Sequence, residues 1–331
     1  MTSSTVNTAF QQFMLHAVRL SPDSVKNARS SRNWLIDQIQ ALPGRDSAFP
    51  LLYNEKHIQF GSFARRTKCR ELDDIDLMIT LIGGGGWYQL LSDTTCDVYV
   101  PDNHRLAPFR DASGAVNSRL VINQFIRSLS SVAQYRKAEM KRDSSAAVLN
   151  LTSYPWVYDI VPSFLTAEEG DGRTYYLIPD GAGRWKKTDP RLDRNRATSI
   201  NQNHGGYVLD VVRLVKFWLK RKRGLSLSSY LTEALVLDYY DTPGNTAGKY
   251  MNFNLRDVLS GLAERITYDV KDPKDIDGNI NDLSWNDRWK AHVLLQEASD
   301  ACAAACQLES SSQYDAISAW KGVLGADFGE Y

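Results

Sequence analysis

The chain of 331 residues is 43% hydrophobic and 24% charged, with 21 Gly and 11 Pro, the balance of a globular protein with enough interior to hold together without metal or disulfide staples. Thirty-nine Lys and Arg against thirty-nine Asp and Glu give zero formal net charge, which excludes wholesale attraction to nucleic acid or anionic lipid and leaves only local patches. Four cysteines (Cys69, Cys96, Cys302, Cys306), no apolar run near the ~18 residues of a membrane span, and an opening without the basic-then-apolar form of a secretion signal together predict a reducing, cytoplasmic location and no membrane partner.

The first elements are helical: TAFQQFMLHAVRL, then SPDSVKNARSSRNWLIDQIQAL with Ser21 as N-cap, Pro22 at the first helical position and Gly44 as the stop. After a turn-rich stretch and HIQFGSFARRTK, RELDDIDLMITL alternates with period two. Asp74, Asp76 and Met78 fall on one face and Ile75, Leu77 and Ile79 on the other, which predicts a half-buried strand. Gly83 to Gly86 and PDNHRLAPFRDASG read as loops, Val116 to about Lys141 as a helix, and AAVLNLTSYP and WVYDIVPSFL as strands of an antiparallel or mixed sheet. YYLIPDGAGRWKKTDPRLDRNRA is too rich in Gly, Pro and charge for one continuous element. Helices follow over GYVLDVVRLVKFWLKRKRG, ended by Gly224, over SSYLTEALVLDYY, over VLSGLAERI, and over roughly Asn286 to Trp320.

Gly61-Ser62 sits between a short apolar strand and a helical turn, where a small residue lets phosphate approach exposed N–H groups and the hydroxyl adds a donor; taken alone, the pair fits an ordinary turn as well. Asp74 and Asp76 place two carboxylates on one strand face. Such a pair repels unless solvated or neutralised, and a divalent cation neutralises it; a merely solubilising edge is the alternative. Asp159 is the only acid in the apolar YPWVYDIVPSF, and an unpaired buried carboxylate is costly. Two carboxylates on one strand and a third on a neighbour suit two Mg²⁺ ions in nucleotidyl transfer, one lowering the pKa of the attacking hydroxyl and one holding the triphosphate. Arg213, Lys216 and Lys220 share one side of a helix, a basic face that is either solvated or turned to phosphate. Arg65, Arg66 and Lys68 are further candidates for phosphate, and Tyr175 and Tyr176 for nucleobase faces, with exposed charge and core packing as the alternatives.

The glycine-serine turn, Asp-hydrophobic-Asp, and a later strand Asp before Pro resemble the signature of the DNA polymerase β-like nucleotidyltransferase superfamily. Within it the chain is similar to the cyclic-oligonucleotide synthases (the CD-NTase family), the group holding animal cyclic GMP-AMP synthase and its bacterial anti-phage relatives, with oligoadenylate synthase nearby. The likeness runs over roughly residues 50 to 290. It implies an α+β, bilobal fold, with N-terminal helices and a mixed-sheet catalytic core over 1–180 and a mostly helical second lobe over 181–331 packed against it. It also implies that Gly61 and Ser62 cradle a triphosphate and that Asp74, Asp76 and Asp159 are the catalytic, metal-binding acids for Mg²⁺ or Mn²⁺. In RLVKFWLK, Lys216 matches a lysine set against the donor triphosphate; in LSSYLTEAL, Ser229 matches a companion phosphate-binding serine and Tyr230 the aromatic that stacks on a base. YDVKDPKDIDGNIN resembles an aspartate-proline and asparagine segment of these folds, and YYLIPDGAGRWKKTDP a loop around the cleft, anchored by Trp185.

ATP or other NTPs are then the substrates, and a cyclic di- or oligonucleotide is the product, read by a separate receptor or effector in anti-phage signalling. Two departures stand out. Asp73 directly precedes Asp74, and alternation turns it to solvent; and only RKRGLSLS separates Lys220 from Ser229, with no Cys/His cluster like the animal enzyme's zinc element, so a long nucleic-acid activator is not expected. A linear oligoadenylate or RNA-end nucleotidyltransferase, or a catalytically silent nucleotide- or RNA-binding regulator, remains open on the residues alone, although three converging acids exceed what binding requires.

Overall fold

The computed structural model describes residues 5–331. Its chain divides into two compact units. One is built from Asp23–Ala64 and Leu72–Leu192; the other takes the segment ending at Pro22, Arg65–Glu71 and Asp193–Tyr331.

The first unit is organised by a mixed sheet of nine strands among the described residues: β1 (Ile58–Phe60), β2 (Asp74–Thr80), β3 (Trp87–Leu90), β4 (Thr95–Tyr99), β5 (Glu139–Asp143), β6 (Ala146–Asn150), β7 (Val157–Leu165), β8 (Tyr176–Pro179) and β9 (Trp185–Thr188). Along the main path the order is β1-β2-β7-β8-β9-β4-β3, with the β5–β6 hairpin attached to β7. β2 and β7 run parallel, while the other pairs are antiparallel. Pro162 is tolerated in β7 because it falls beyond the last β6 pair, Ala147 with Ile160, where a missing N–H breaks no ladder on that side.

The first two helices fall in different units. α1 (Val6–Phe13), continued by a π turn (Met14–Val18), belongs to the second unit, and α2 (Pro22–Arg45) starts at the expected proline and buries Leu35, Ile39 and Leu42 at helical spacing in the first. After the four-residue α3 (Gly61–Ala64), α4 (Ser118–Ser130) packs Val121, Ile122, Phe125 and Leu129 into the same core, where the Phe49 and Phe125 rings lie 4.7 Å apart. The expected helix to Lys141 stops at Ser130: the Ser131 hydroxyl donates to the Ser128 carbonyl at 2.6 Å, and the alternating, charged EMKRD becomes the edge strand β5.

The glycine-rich connector is a hairpin. Asp180 Oδ1 accepts from the N–H groups of Ala182, Gly183 and Arg184 at 2.7 to 3.0 Å, closing the β8–β9 turn, and fully buried Trp185 anchors it by donating to the Val116 carbonyl at 2.8 Å.

The second unit is helical: α5 (Pro190–Asn203, entering from the sheet unit), α6 (Val208–Arg221), α7 (Ser229–Asp241), α8 (Met251–Arg265), α9 (Trp285–Leu308) and α10 (Gln313–Leu324). α6 is buried on nearly all sides, and Phe10 and Phe13 of α1 meet Trp320 and Phe328 edge-on at 4.8 to 5.4 Å. The single helix expected from Asn286 to Trp320 is two helices. Ser312 interrupts it by capping α10, its hydroxyl accepting from the Asp315 N–H at 3.2 Å.

Candidate active site

In the sheet unit, the β2–β7 register sets Asp76 directly opposite Asp159 and Asp74 opposite Val157. All three acids lie on the half-exposed face, while Ile75, Leu77, Tyr158 and Ile160 alternate into the core, so period-two burial leaves the acids no other side. Asp73 is exposed because it precedes β2; the alternation itself would have placed it with Ile75 and Leu77. Gly61 follows Phe60, the β1 partner of Asp76. Its φ is 70°, and a Cβ there would lie 1.7 Å from Asp76 Oδ2 and 2.4 Å from Cγ. The room made by the missing side chain is therefore taken by the Asp76 carboxylate, a use of this glycine that its sequence context did not suggest. Ser62 is half-buried in the short helix α3 that Gly61 opens. With the side chains as they stand, no three Asp, Glu, His or Cys groups among the described residues are clustered to hold a metal ion.

In the helical unit, Lys216 on α6 is 4% exposed and Glu233 on α7 is 2% exposed. Lys216 Nζ donates to Glu233 Oε1 at 2.6 Å, and Arg65 Nε donates to Glu233 Oε2 at 2.9 Å. Burial opposes the Glu233 charge, yet Arg65 and Lys216 together hold its carboxyl below the usual carboxylate value. Lys216 and Ser229 line one cavity of about 230 Å³ with Lys220, Lys222, Ser226 and Thr232. Ser228 takes the N-cap, accepting from the Leu231 N–H at 3.1 Å, which leaves Ser229 exposed at the cavity.

Tyr230 is tethered through its hydroxyl, which lies 2.8 Å from Asp193 Oδ1 and 3.0 Å from Asp272 Oδ1 and accepts from Lys274 Nζ at 2.5 Å. Lys274 Nζ is 4.3 Å from the ring centroid. Burial, with Asp193 next, pushes the phenol well up, and burial raises the Asp193 carboxyl too. Asp272 goes the other way, to about 2: burial works against it, but the Asp277 and Lys274 N–H groups and the Lys274 ammonium prevail. The DPKDIDG segment thus folds around one carboxylate that also holds Tyr230.

Several candidates look elsewhere. Tyr175 and Tyr176 are buried, the latter donating to the Lys56 carbonyl at 3.1 Å, so neither presents a face to a base. Lys68 is buried and Arg66 exposed. The sequence patterns do not single out Glu233 or Asp193, while Asp272 and Lys274 fall in YDVKDPKDIDGNIN, to which the family likeness assigned no role. Glu233 carried a signal, as a single acid within the apolar LTEALVL, by the argument that singled out Asp159.

No protein-family profile matches the chain. Its fold is that of the bilobal polymerase-β-like nucleotidyltransferases. Escherichia coli MS115-1 CdnC, solved with ATP, superposes with a TM-score of 0.72 at 15% identity over 98% of this chain and 99% of that one. Vibrio cholerae DncV, a cyclic AMP-GMP synthase solved with the linear intermediate 5′-pppA(3′,5′)pG, gives 0.68 at 11% identity over 100% and 98%. In sequence the chain is 40% identical over 326 residues to a probable cyclic nucleotide synthase of Bacillus cereus (strain VD146), covering 98% of each. The chain belongs to the cyclic nucleotide synthases of the CD-NTase family.

Proposed function

We propose that this protein joins NTPs, ATP among them, into a cyclic di- or oligonucleotide with release of pyrophosphate. The observation that carries the reading is the acid register, Asp76 beside Asp159 with Asp74 on the same face, in a chain alike end to end to a probable cyclic nucleotide synthase. Three hard carboxylates on one face of adjoining parallel strands, two of them in register, suit Mg²⁺ or Mn²⁺. Asp74, Asp76 and Asp159 are the residues that would hold the ions, which when bound ease ionisation of a hydroxyl and neutralise charge on the departing pyrophosphate.

Gly61 and Ser62 offer backbone N–H groups and a hydroxyl to phosphate, Lys216 and Ser229 an ammonium and a hydroxyl at one cavity, and Tyr230 an aromatic ring. A ribose hydroxyl of one nucleotide forms the new bond to the α-phosphorus of another as the bond to pyrophosphate breaks and the hydroxyl proton is lost. In the last round the hydroxyl and the triphosphate belong to the same linear molecule, and tethering raises their effective concentration. The product serves as a diffusible signal for a separate receptor in anti-phage defence, a reading supported by family membership.

The test is a primer-free, nuclease-treated reaction with each labelled NTP combination and Mg²⁺ or Mn²⁺, followed by phosphatase and mass measurement. Phosphatase-resistant products with the masses of closed di-, tri- or tetranucleotides are expected. Only linear products carrying 5′-triphosphates, or activity only with an RNA acceptor, would favour linear transfer; no pyrophosphate release at all would favour a silent nucleotide binder.

A further inference from the structure

We infer that Glu233 is a positioning residue for nucleotide binding, fixing the Lys216 ammonium at the cavity it shares with Ser229; the inference rests on the assignment of that cavity to phosphate. An exposed lysine samples many rotamers, and ordering it on a ligand costs side-chain entropy. Here that ordering is done in advance. Lys216 has one N–H held by Glu233 Oε1 at 2.6 Å, which leaves two ammonium protons for a ligand. A lone buried carboxylate in this place would repel phosphate, and Arg65, at 2.9 Å from the other oxygen, removes that objection. The trio Lys216, Glu233 and Arg65 carries one net positive charge; of the three, Lys216 lines the cavity, with Lys220 and Lys222 beside it. Arg65 satisfies the second buried oxygen of Glu233, as a purely structural pair would also require, so the cavity beside Lys216 is what sets this pair apart.

The sign of one substitution separates this reading from its rivals. Glu233→Gln is isosteric and raises the charge of the trio from one to two. Counting charge alone, ATP and inorganic triphosphate should bind more tightly; a role confined to folding should lower the melting temperature and leave the affinity of the folded protein unchanged. Positioning instead predicts weaker binding of both, by about tenfold, the size of one charge-assisted hydrogen bond lost. It also predicts that the loss disappears in a Lys216→Met background, because Glu233 acts through Lys216. Calorimetric titration of the full chain and its single and double variants reads this cycle. Unchanged or tighter binding by folded Glu233→Gln, or an equal loss in both backgrounds, overturns the inference. If Glu233→Gln does not fold, Glu233→Asp gives the same decision: it keeps the charge but withdraws the carboxylate, so native affinity counts against positioning and a Lys216-dependent loss supports it. Native ATP affinity in Lys216→Met alone instead overturns the phosphate assignment beneath it, an outcome distinct from failure of the cycle.

Discussion

Gly61 is constrained twice, by a φ of 70° and by the Asp76 carboxylate lying where its Cβ would be. Gly61→Ala must therefore strain the backbone and push Asp76 aside, so stability should fall by about 1 kcal/mol or more. Turnover should fall much further, because the displaced group is one of the three acids. Asp76→Asn is the companion: it keeps shape, loses charge, and should hold the native melting temperature while cutting pyrophosphate release by roughly a hundredfold or more. Near-native pyrophosphate release by folded Asp76→Asn would remove Asp76 from the chemistry. At this scale the acids were legible because alternation in a half-buried strand is a local property, visible in DIDLM and in VYDIV. The pairing of Glu233 with Arg65 was not, since it joins residues 168 apart and no local pattern records it.

Elements with strong periodicity match expectation where propensity and burial agree, as in α2 and α6; β2 is the strand expected, but Met78 and Thr80 are buried, so only its first half is one-sided. The errors fall where a neighbouring strand or a capping side chain redirects the backbone. Glu139 to Asp143 pairs as a strand because β6 offers an edge, a non-local reason that prevails over weak helical spacing. In the last helical stretch, the hydroxyl of Ser312 and the Glu309 carboxylate, which accepts from Asn252 Nδ2 at 2.8 Å, separate α9 from α10. Ser312→Ala should consequently cost about 1 kcal/mol by loss of the cap. Chemical denaturation followed by far-UV circular dichroism checks it, and an unchanged midpoint would show that the cap does not hold the break.

For the whole molecule, the response to acid follows from the buried carboxylates of the helical unit. Asp272 ionises in the folded chain near 2, below its ordinary value of 3.8. Its contribution is thus complete above about pH 4 and drains as the pH falls toward 2, and Glu233, also held low, works in the same direction. Asp272→Asn should lower stability at pH 7 by an amount on the order of 1–2 kcal/mol and flatten the loss between pH 4 and pH 2. Urea unfolding at pH 7 and pH 3 measures both; parallel curves for the native and variant chains would contradict the assignment. The interleaving of the chain, with the segment up to Pro22 and Arg65–Glu71 grouped with the later helices, is the feature a linear reading cannot express, because nothing in a sequence marks which distant partner a helix will choose.

The aromatic contacts of Phe10 and Phe13 with Trp320 and Phe328 have a consequence for biosynthesis. Phe10 and Phe13 are made long before Trp320 and Phe328, so a nascent chain holds these two phenylalanines without their partners until α10 and Phe328 are made, after every strand of the sheet has been synthesised. A ribosome that stalls before Gln313 therefore holds a chain whose α1 has neither its aromatic partners nor the Gln313 oxygen that accepts from the Val6 N–H at 2.8 Å.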